Sequence, residues 1–206
     1  MYVLRVTLKV LKTVVTSTRC FISWVITWCL FKLNGVKFNE FKANGYPVIN
    51  VNLSGLFNIG KNVMINSSKY ANPIGRQQQC FFVVGAGAHL SIGDNVGISS
   101  SAIVCKTKIS IGDNVKIGGN VVIYDTDFHS LSSIYRNSIP ESFDHTISKP
   151  VIIEDNVFIG AHSCILKGVT VGHGSIIGAC SVVAKNIPSN EIWAGNPARF
   201  LSKTVD

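Results

Sequence analysis

Residues 151–187 read VIIEDNVFIGAHSCILKGVTVGHGSIIGACSVVAKNI, and aliphatic side chains recur in them every six positions, at Ile153, Ile159, Ile165, Val171, Ile177 and Val183. Four places after each stands Val157, Ser163, Val169, Ser175, Ser181 or Ile187, mostly small or β-branched. Glycine follows the aliphatic residue directly at Gly160, Gly172 and Gly178. A period of six matches neither an amphipathic helix, which repeats at about 3.6, nor a lone alternating strand. It matches short strands joined by tight turns and wound around a prism, with each aliphatic side chain pointing inward. Glycine or asparagine then takes the turn conformation that branched residues resist. Stacked copies bury successive layers of Val and Ile, so a continuous core needs few aromatic residues.

The same unit appears earlier, as Ile92-Gly-Asp-Asn-Val96 and Ile111-Gly-Asp-Asn-Val115, continued by Ile98 and Ile117, and as Ile59-Gly-Lys-Asn-Val63. Coils are therefore expected from about residue 55 to 190, interrupted at 124–150, with an arm over 1–54 and a tail over 191–206. The chain has 206 residues, 47% of them hydrophobic and 15% charged, which suits one good-sized domain plus an appendage and excludes disorder for most of its length. Six cysteines are scattered without a Cys-x-x-Cys pair or zinc-site spacing, and are read as reduced thiols, mostly buried.

The net charge of +8 is concentrated at one end. Residues 1–46 hold seven bases against one acid, whereas 47–206 hold twelve against ten. The body therefore lacks the dense basic stripe that a nucleic-acid partner requires. Between Arg5 and Arg19 the bases fall at spacings of four, three and seven, on one helical stripe, while Leu4, Leu8, Leu11 and Val15 mark another. Such a basic amphipathic helix, over residues 1–33, suits the headgroup region of an anionic membrane or packing on the neighbouring domain. The frequent Val and Thr would also suit a strand. The uncharged run Cys20–Phe31 has twelve residues, short of the roughly 20 that cross a bilayer, and no small-residue cleavage site follows it. The expected location is cytoplasmic, at the inner face of the membrane if the arm meets lipid.

After Ile123 the rhythm stops until Val151, leaving 27 residues, Tyr124–Pro150, that carry Asp125, Asp127, His129, Tyr135, Arg136, Asp144 and His145. A long interruption of a regular solenoid is commonly functional. His89, His162 and His173 fall at turn positions of coils and read as structural. No phosphate-binding Gly-x-x-x-x-Gly-Lys or Gly-x-Gly-x-x-Gly precedes a helical pattern, so nucleotide hydrolysis and NAD chemistry have no support.

Three segments, Ile123-Tyr-Asp-Thr-Asp-Phe-His-Ser-Leu131, Pro150 to Gly178, and Trp193-Ala-Gly-Asn-Pro-Ala-Arg199, together resemble the hexapeptide-repeat acyltransferases. Within them they resemble the maltose-acetyltransferase-like branch, which includes sugar O-acetyltransferases of surface-polysaccharide pathways. The resemblance runs from about residue 55 to the end and implies an all-β body, a left-handed parallel β-helix with three repeats per coil. It also implies a homotrimer, acetyl-CoA as donor, no metal, and a sugar or glycan as acceptor. Because residues 1–54 are too short for the nucleotide-binding domain of related N-acetyltransferases, a hydroxyl acceptor is expected.

Acyl transfer from a thioester to a hydroxyl needs a base for the hydroxyl proton and a donor for the oxyanion. A neutral imidazole, with an unperturbed pKa of about 6.5, suits the first task. The resemblance places it at His129; His145, in the same loop, matches no catalytic pattern. Asp127 or Asp125 would hold the imidazole tautomer or bind acceptor hydroxyls, and their spacing does not separate these roles. Ser100 stands where related enzymes carry an acceptor-binding asparagine, and Tyr135 and Arg136 are further candidates for the acceptor. For coenzyme A, the resemblance points to Gly160-Ala161 and Gly178-Ala179 as a groove for the pantetheine arm. Lys167, Lys185 and Arg199 supply positive charge for its phosphates, and Asn196 and Pro197 are further cofactor-binding candidates. Two other readings of the same fold are a non-catalytic trimeric scaffold and a zinc hydratase related to carbonic anhydrase, which needs three converging histidines.

Overall fold

Neither proline nor glycine interrupts the first 34 residues, and in the computed structural model they form one helix, α1 (Tyr2–Leu33). The structure describes residues 1–72, 74–75 and 78–205. Thr7, Thr13 and Thr18 donate their hydroxyls to the carbonyl four residues back, each at 3.0 Å, so the β-branched residues fit the helix and the strand alternative fails. Asn34 and Gly35 end it: the Asn34 amide donates to the Leu30 carbonyl at 2.9 Å and Gly35 takes φ 65°. By length and composition alone α1 is long and apolar enough to cross a membrane. However, Ser23, Thr27 and Phe31 are buried, so one side of its second half lies against protein.

The body is three sheets of stacked parallel strands, and the chain visits them in rotation. The first stacks Lys37–Phe38, Leu56–Ile59, His89–Ile92, Lys108–Ile111, Val151–Ile153 and Thr170–Val171. The second stacks Phe41–Asn44, Val63–Asn66, Gly97–Ser99, Lys116–Ile117, Phe158–Ile159, Ile176–Ile177 and Glu191–Ala194, closed by the antiparallel Arg199–Lys203. The third stacks Val48–Val51, Phe81–Val84, Ala102–Cys105, Val122–Tyr124, Cys164–Ile165 and Val182–Val183. This arrangement, with the six-residue repeat, fits the expected left-handed β-helix; with a 32-residue helix attached, the all-β label describes the body only. Register places like on like: Ile98 beside Ile117 and Ile159 beside Ile177, all buried. Burying each such side chain contributes about 1.5–3 kcal/mol.

The Ile-Gly-Asp-Asn turns divide their labour. Asp94, Asp113 and Asp155 each accept the backbone N–H of the residue one coil earlier, Lys61, Asp94 and Asp113, at 2.6, 2.6 and 2.7 Å. Gly60, Gly93 and Gly112 leave the room those carboxylates occupy, since a Cβ there would collide with them. Asn62, Asn95, Asn114 and Asn156 take the left-handed conformation. Asparagine thus makes the turn, and glycine permits the close approach.

Coils begin earlier than residue 55. Lys37–Phe38 pairs with Asn58–Ile59, and Phe41–Asn44 with Val63–Asn66. The repeat signature is missing there because the open end of the prism is filled by aromatic rings: Phe31 of α1 lies 5.1, 5.0 and 6.4 Å from Phe38, Phe41 and Phe57. The thiols are free, but only Cys80 and Cys105 are buried; Cys29 and Cys180 are exposed, at odds with the expectation of mostly buried cysteines.

Candidate active site

The interruption of the repeat leaves the third sheet after Tyr124 and returns to the first at Val151. Its two ends are zipped together: the Asp127 N–H donates to the Ile147 carbonyl at 3.0 Å, and the Lys149 N–H to the Asp125 carbonyl at 2.8 Å, around a Thr126–Ser148 bridge. A closed base makes this a compact loop packed by its own groups. Within it a single helical turn, α2 (Ser133–Arg136), places Arg136, whose guanidinium donates to the carbonyls of Ser130 and Leu131 at 2.9 and 3.2 Å. Arg136 therefore braces the loop through Nη1. The Tyr135 ring stacks on His145 with centroids 3.8 Å apart, which occupies the competing histidine.

His129 stands out from this framework. Phe128, directly before it, has φ 64°, a conformation costing a bulky residue about 1–2 kcal/mol. Its N–H is anchored on the Thr126 hydroxyl at 3.2 Å, and the turn projects the next side chain outward, 58% exposed. Nδ1 of His129 meets Oε1 of Glu141 at 2.8 Å. Donation from Nδ1 to that carboxylate leaves the lone pair on Nε2, which has no partner among the described residues and is free to accept a proton.

The carboxylate that holds the imidazole is therefore Glu141, and neither aspartate proposed for the task holds it. Asp127 pairs with Lys167 at 2.6 Å, which also removes Lys167 from the phosphate candidates. Asp125 is fully buried and accepts the N–H groups of Lys106, Thr107 and Lys108 at 2.7, 2.7 and 2.8 Å and the Thr107 hydroxyl at 2.9 Å, so it cannot bind an acceptor. Glu141 is the only acid between Asp127 and Asp144, and that was its signal in the sequence. Replacing Glu141 by glutamine, which keeps the shape and loses the charge, is expected to lower kcat about tenfold while the KM for acetyl-CoA stays put. Steady-state kinetics check this; an equal rise in both KM values would assign Glu141 to binding instead.

Other expected site residues prove structural. Ser100 is fully buried with φ 47°, and its hydroxyl accepts from the Asn72 amide at 3.1 Å, away from any acceptor. A Cβ at Gly160 would collide with the backbone of Ala179, and one at Gly178 with Ala194, so these glycines let coils stack and leave no open groove beside them. Lys185, Asn196, Pro197 and Arg199 lie exposed on the last coils, the two cations open to a phosphate, with Ala161 half-buried and Ala179 exposed. Cavities elsewhere include one of about 300 Å³ beside Ser110, Glu154 and His173, and one of about 1010 Å³ between α1 and residues 67–71 of the body. Among the described residues no three of His, Cys, Asp or Glu converge as metal ligands, so the zinc-hydratase reading finds no ligand set there.

The Cys164 thiol and the Tyr124 hydroxyl flank the loop's point of departure, and burial pushes both up from their ordinary pKa values, with Cys164 adding to the Tyr124 shift. Both stay neutral near pH 7.

The profile described as hexapeptide repeat of succinyl-transferase matches residues 89–125 and 150–185. An acetyltransferase-like protein of Schizosaccharomyces pombe is 44% identical over 147 residues, 71% of this chain and 56% of that protein. The chain thus spans little more than half the length of that relative. Among solved structures, a hexapeptide-repeat-containing acetyltransferase of Vibrio cholerae, complexed with acetyl coenzyme A, superposes with a TM-score of 0.56 at 26% identity, over 87% of this chain and 76% of that one. A maltose O-acetyltransferase of Clostridium difficile gives 0.53 at 29% identity, over 86% and 73%. Stacked six-residue coils, the interrupting loop and these matches agree: the chain carries the hexapeptide repeat and is similar to acyltransferases built on it.

Proposed function

We propose that this protein transfers an acetyl group from acetyl-CoA to a hydroxyl of a sugar or glycan, in surface-polysaccharide biosynthesis, with His129 as general base. The observation that carries the reading is the imidazole of His129, held at Nδ1 by Glu141 and projecting its other nitrogen outward from a loop that breaks the repeat. The similar Vibrio cholerae structure holds acetyl coenzyme A and the similar Clostridium difficile enzyme acts on maltose, which supports the donor and the acceptor class.

Nε2 takes the proton of the acceptor hydroxyl as its oxygen attacks the thioester carbonyl, and returns it to the departing thiolate; Glu141 stabilises the imidazolium that forms between the two steps. With Ser100 buried, no side chain of this protomer is assigned to the oxyanion, and a backbone N–H is the donor that fits. Acetyl-CoA supplies the activated acyl group, and Lys185 and Arg199 are the cations placed to meet its phosphates. His129 opens onto the surface of a single protomer, so a homotrimer, in which a neighbouring copy covers the loop, completes the cleft and excludes water. Through α1 the protein lies peripherally on an anionic membrane, at its cytoplasmic face, where lipid-linked glycans are accessible.

Incubation with radiolabelled acetyl-CoA and a panel of mono- and oligosaccharides is expected to label a sugar as an alkali-labile ester. A label stable to alkali would point to an amine acceptor. Failure to bind coenzyme A at all would favour a trimeric scaffold without catalysis.

A further inference from the structure

We propose that the cleft between α1 and residues 67–71 of the body is a binding site for the phosphate headgroup of an anionic phospholipid, and that α1 lies in the plane of the membrane with its apolar face in the acyl chains. This rests on the peripheral-contact reading above and adds a lipid-selective site to it.

At about 100° per residue, Arg5, Lys9, Lys12, Arg19, Ser23 and Thr27 fall within one arc less than a quarter-turn wide. The last two are buried against the body, and the Ser23 hydroxyl accepts the Gly45 N–H at 2.9 Å, so the basic stripe faces the same side as the coils. Leu11, Val14, Phe21, Val25 and Trp28 occupy the opposite arc and are 38–66% exposed, pointing away from the body. A helix of this kind, with tryptophans beside its apolar face and bases on the other, is the interfacial kind. The first 33 residues carry five bases and no acid, so an anionic lipid surface is the complementary partner. Crossing the bilayer is disfavoured: residues 2–19 contain four of the bases, and one side of the rest of α1 is buried on protein at Ser23, Thr27 and Phe31.

The cleft sits where the basic stripe meets the body. Lys12 and Arg19 line it from the helix, and Lys69, Tyr46 and Tyr70 from the coils, around about 1010 Å³. The Arg19 guanidinium lies 4.7 Å above the Tyr70 ring, which fixes its plane, and Lys69 lies 5.1 Å from the same ring. None of the three cations is paired with a carboxylate among the described residues. Three unpaired cations and aromatic walls at the level of an interfacial helix suit a phosphate diester with room for its substituent.

The test uses the full chain with Trp193→Phe, so that fluorescence reports Trp24 and Trp28 of α1. Vesicles of phosphatidylcholine alone are compared with vesicles containing phosphatidylserine, each with and without brominated acyl chains. Expected are quenching by the brominated lipid and at least about tenfold tighter binding to the serine-containing vesicles. Lys69→Glu, on the body and exposed, should reduce that preference about fivefold or more and leave quenching at saturating lipid intact; Lys69→Gln, the milder change, should fall between. Unchanged preference in both variants, with quenching retained, overturns the cleft while the peripheral contact stands. Absence of quenching in the parent overturns both, and would assign the apolar face to another copy of the chain.

Discussion

Replacing His129 by alanine is expected to lower acetyl transfer about 10²- to 10⁴-fold, the range that a positioned general base contributes, with the affinity for coenzyme A within about twofold of the parent. The two readouts separate because the proposed role of the imidazole is confined to the acceptor proton and the leaving sulfur, whereas the proposed phosphate cations, Lys185 and Arg199, stand on the last coils. Folding should be unaffected: the side chain is more than half exposed and its one polar partner is Glu141. Single-turnover measurement with acceptor in excess isolates the chemical step. Near-normal turnover in this variant would leave the loop without a base and would shift attention to His145, whose ring would then have to leave its stack on Tyr135. A loss of both turnover and coenzyme A binding would instead show that His129 holds the donor.

The body of the fold was legible because each coil repeats one solution to one problem. Ile159 and Ile177 meet in register, so the same side chain serves at every layer, and periodicity exposes it. The first coil was not legible, because it has no layer beneath it and must seal the prism with Phe31, Phe38 and Phe41 in place of aliphatic residues. The loop was legible as a loop, and His129 by its resemblance. Its partners were not. Two aspartates two residues apart meet different partners, Asp125 the buried N–H groups of Lys106–Lys108 and Asp127 the Lys167 ammonium, and spacing alone cannot say which takes which. Glu141 reaches His129 across twelve residues, a distance that only the closed base of the loop makes short. Ser100 and the glycines at 160 and 178 mislead for a common reason: positions that serve chemistry in one member of a repeat family serve stacking in the next coil.

The largest stability effect should come from Asp125→Ala. The buried carboxylate collects three backbone N–H groups and a hydroxyl at the turn between the third and first sheets. A buried donor left without an acceptor costs about 1–3 kcal/mol, and three of them share the turn. Allowing for relaxation, the variant should lose about 3 kcal/mol or more, a large share of the 5–15 kcal/mol typical of folded proteins, and its Tm should fall by about 6–12 °C. The Cys105 thiol gives a second readout. Burial first, and then the neighbouring Asp125 charge, push its pKa up to about 12, so it stays protonated and unreactive towards alkylating reagents. Removing the carboxylate takes away the lesser of the two causes, so the thiol pKa should fall part of the way while burial still holds it above the ordinary value. Asp125→Asn, which keeps the oxygen but presents an amide N–H to the same donors, should fall between parent and Ala in Tm. Because the Asp125 carbonyl also accepts the Lys149 N–H that closes the loop, turnover should decline in step with Tm, with little change in acceptor KM. Had this aspartate bound the acceptor, the pattern would be reversed: an unchanged Tm and a raised acceptor KM. Thermal denaturation and steady-state kinetics on the two variants decide between a carboxylate that holds the turn and one that holds the sugar.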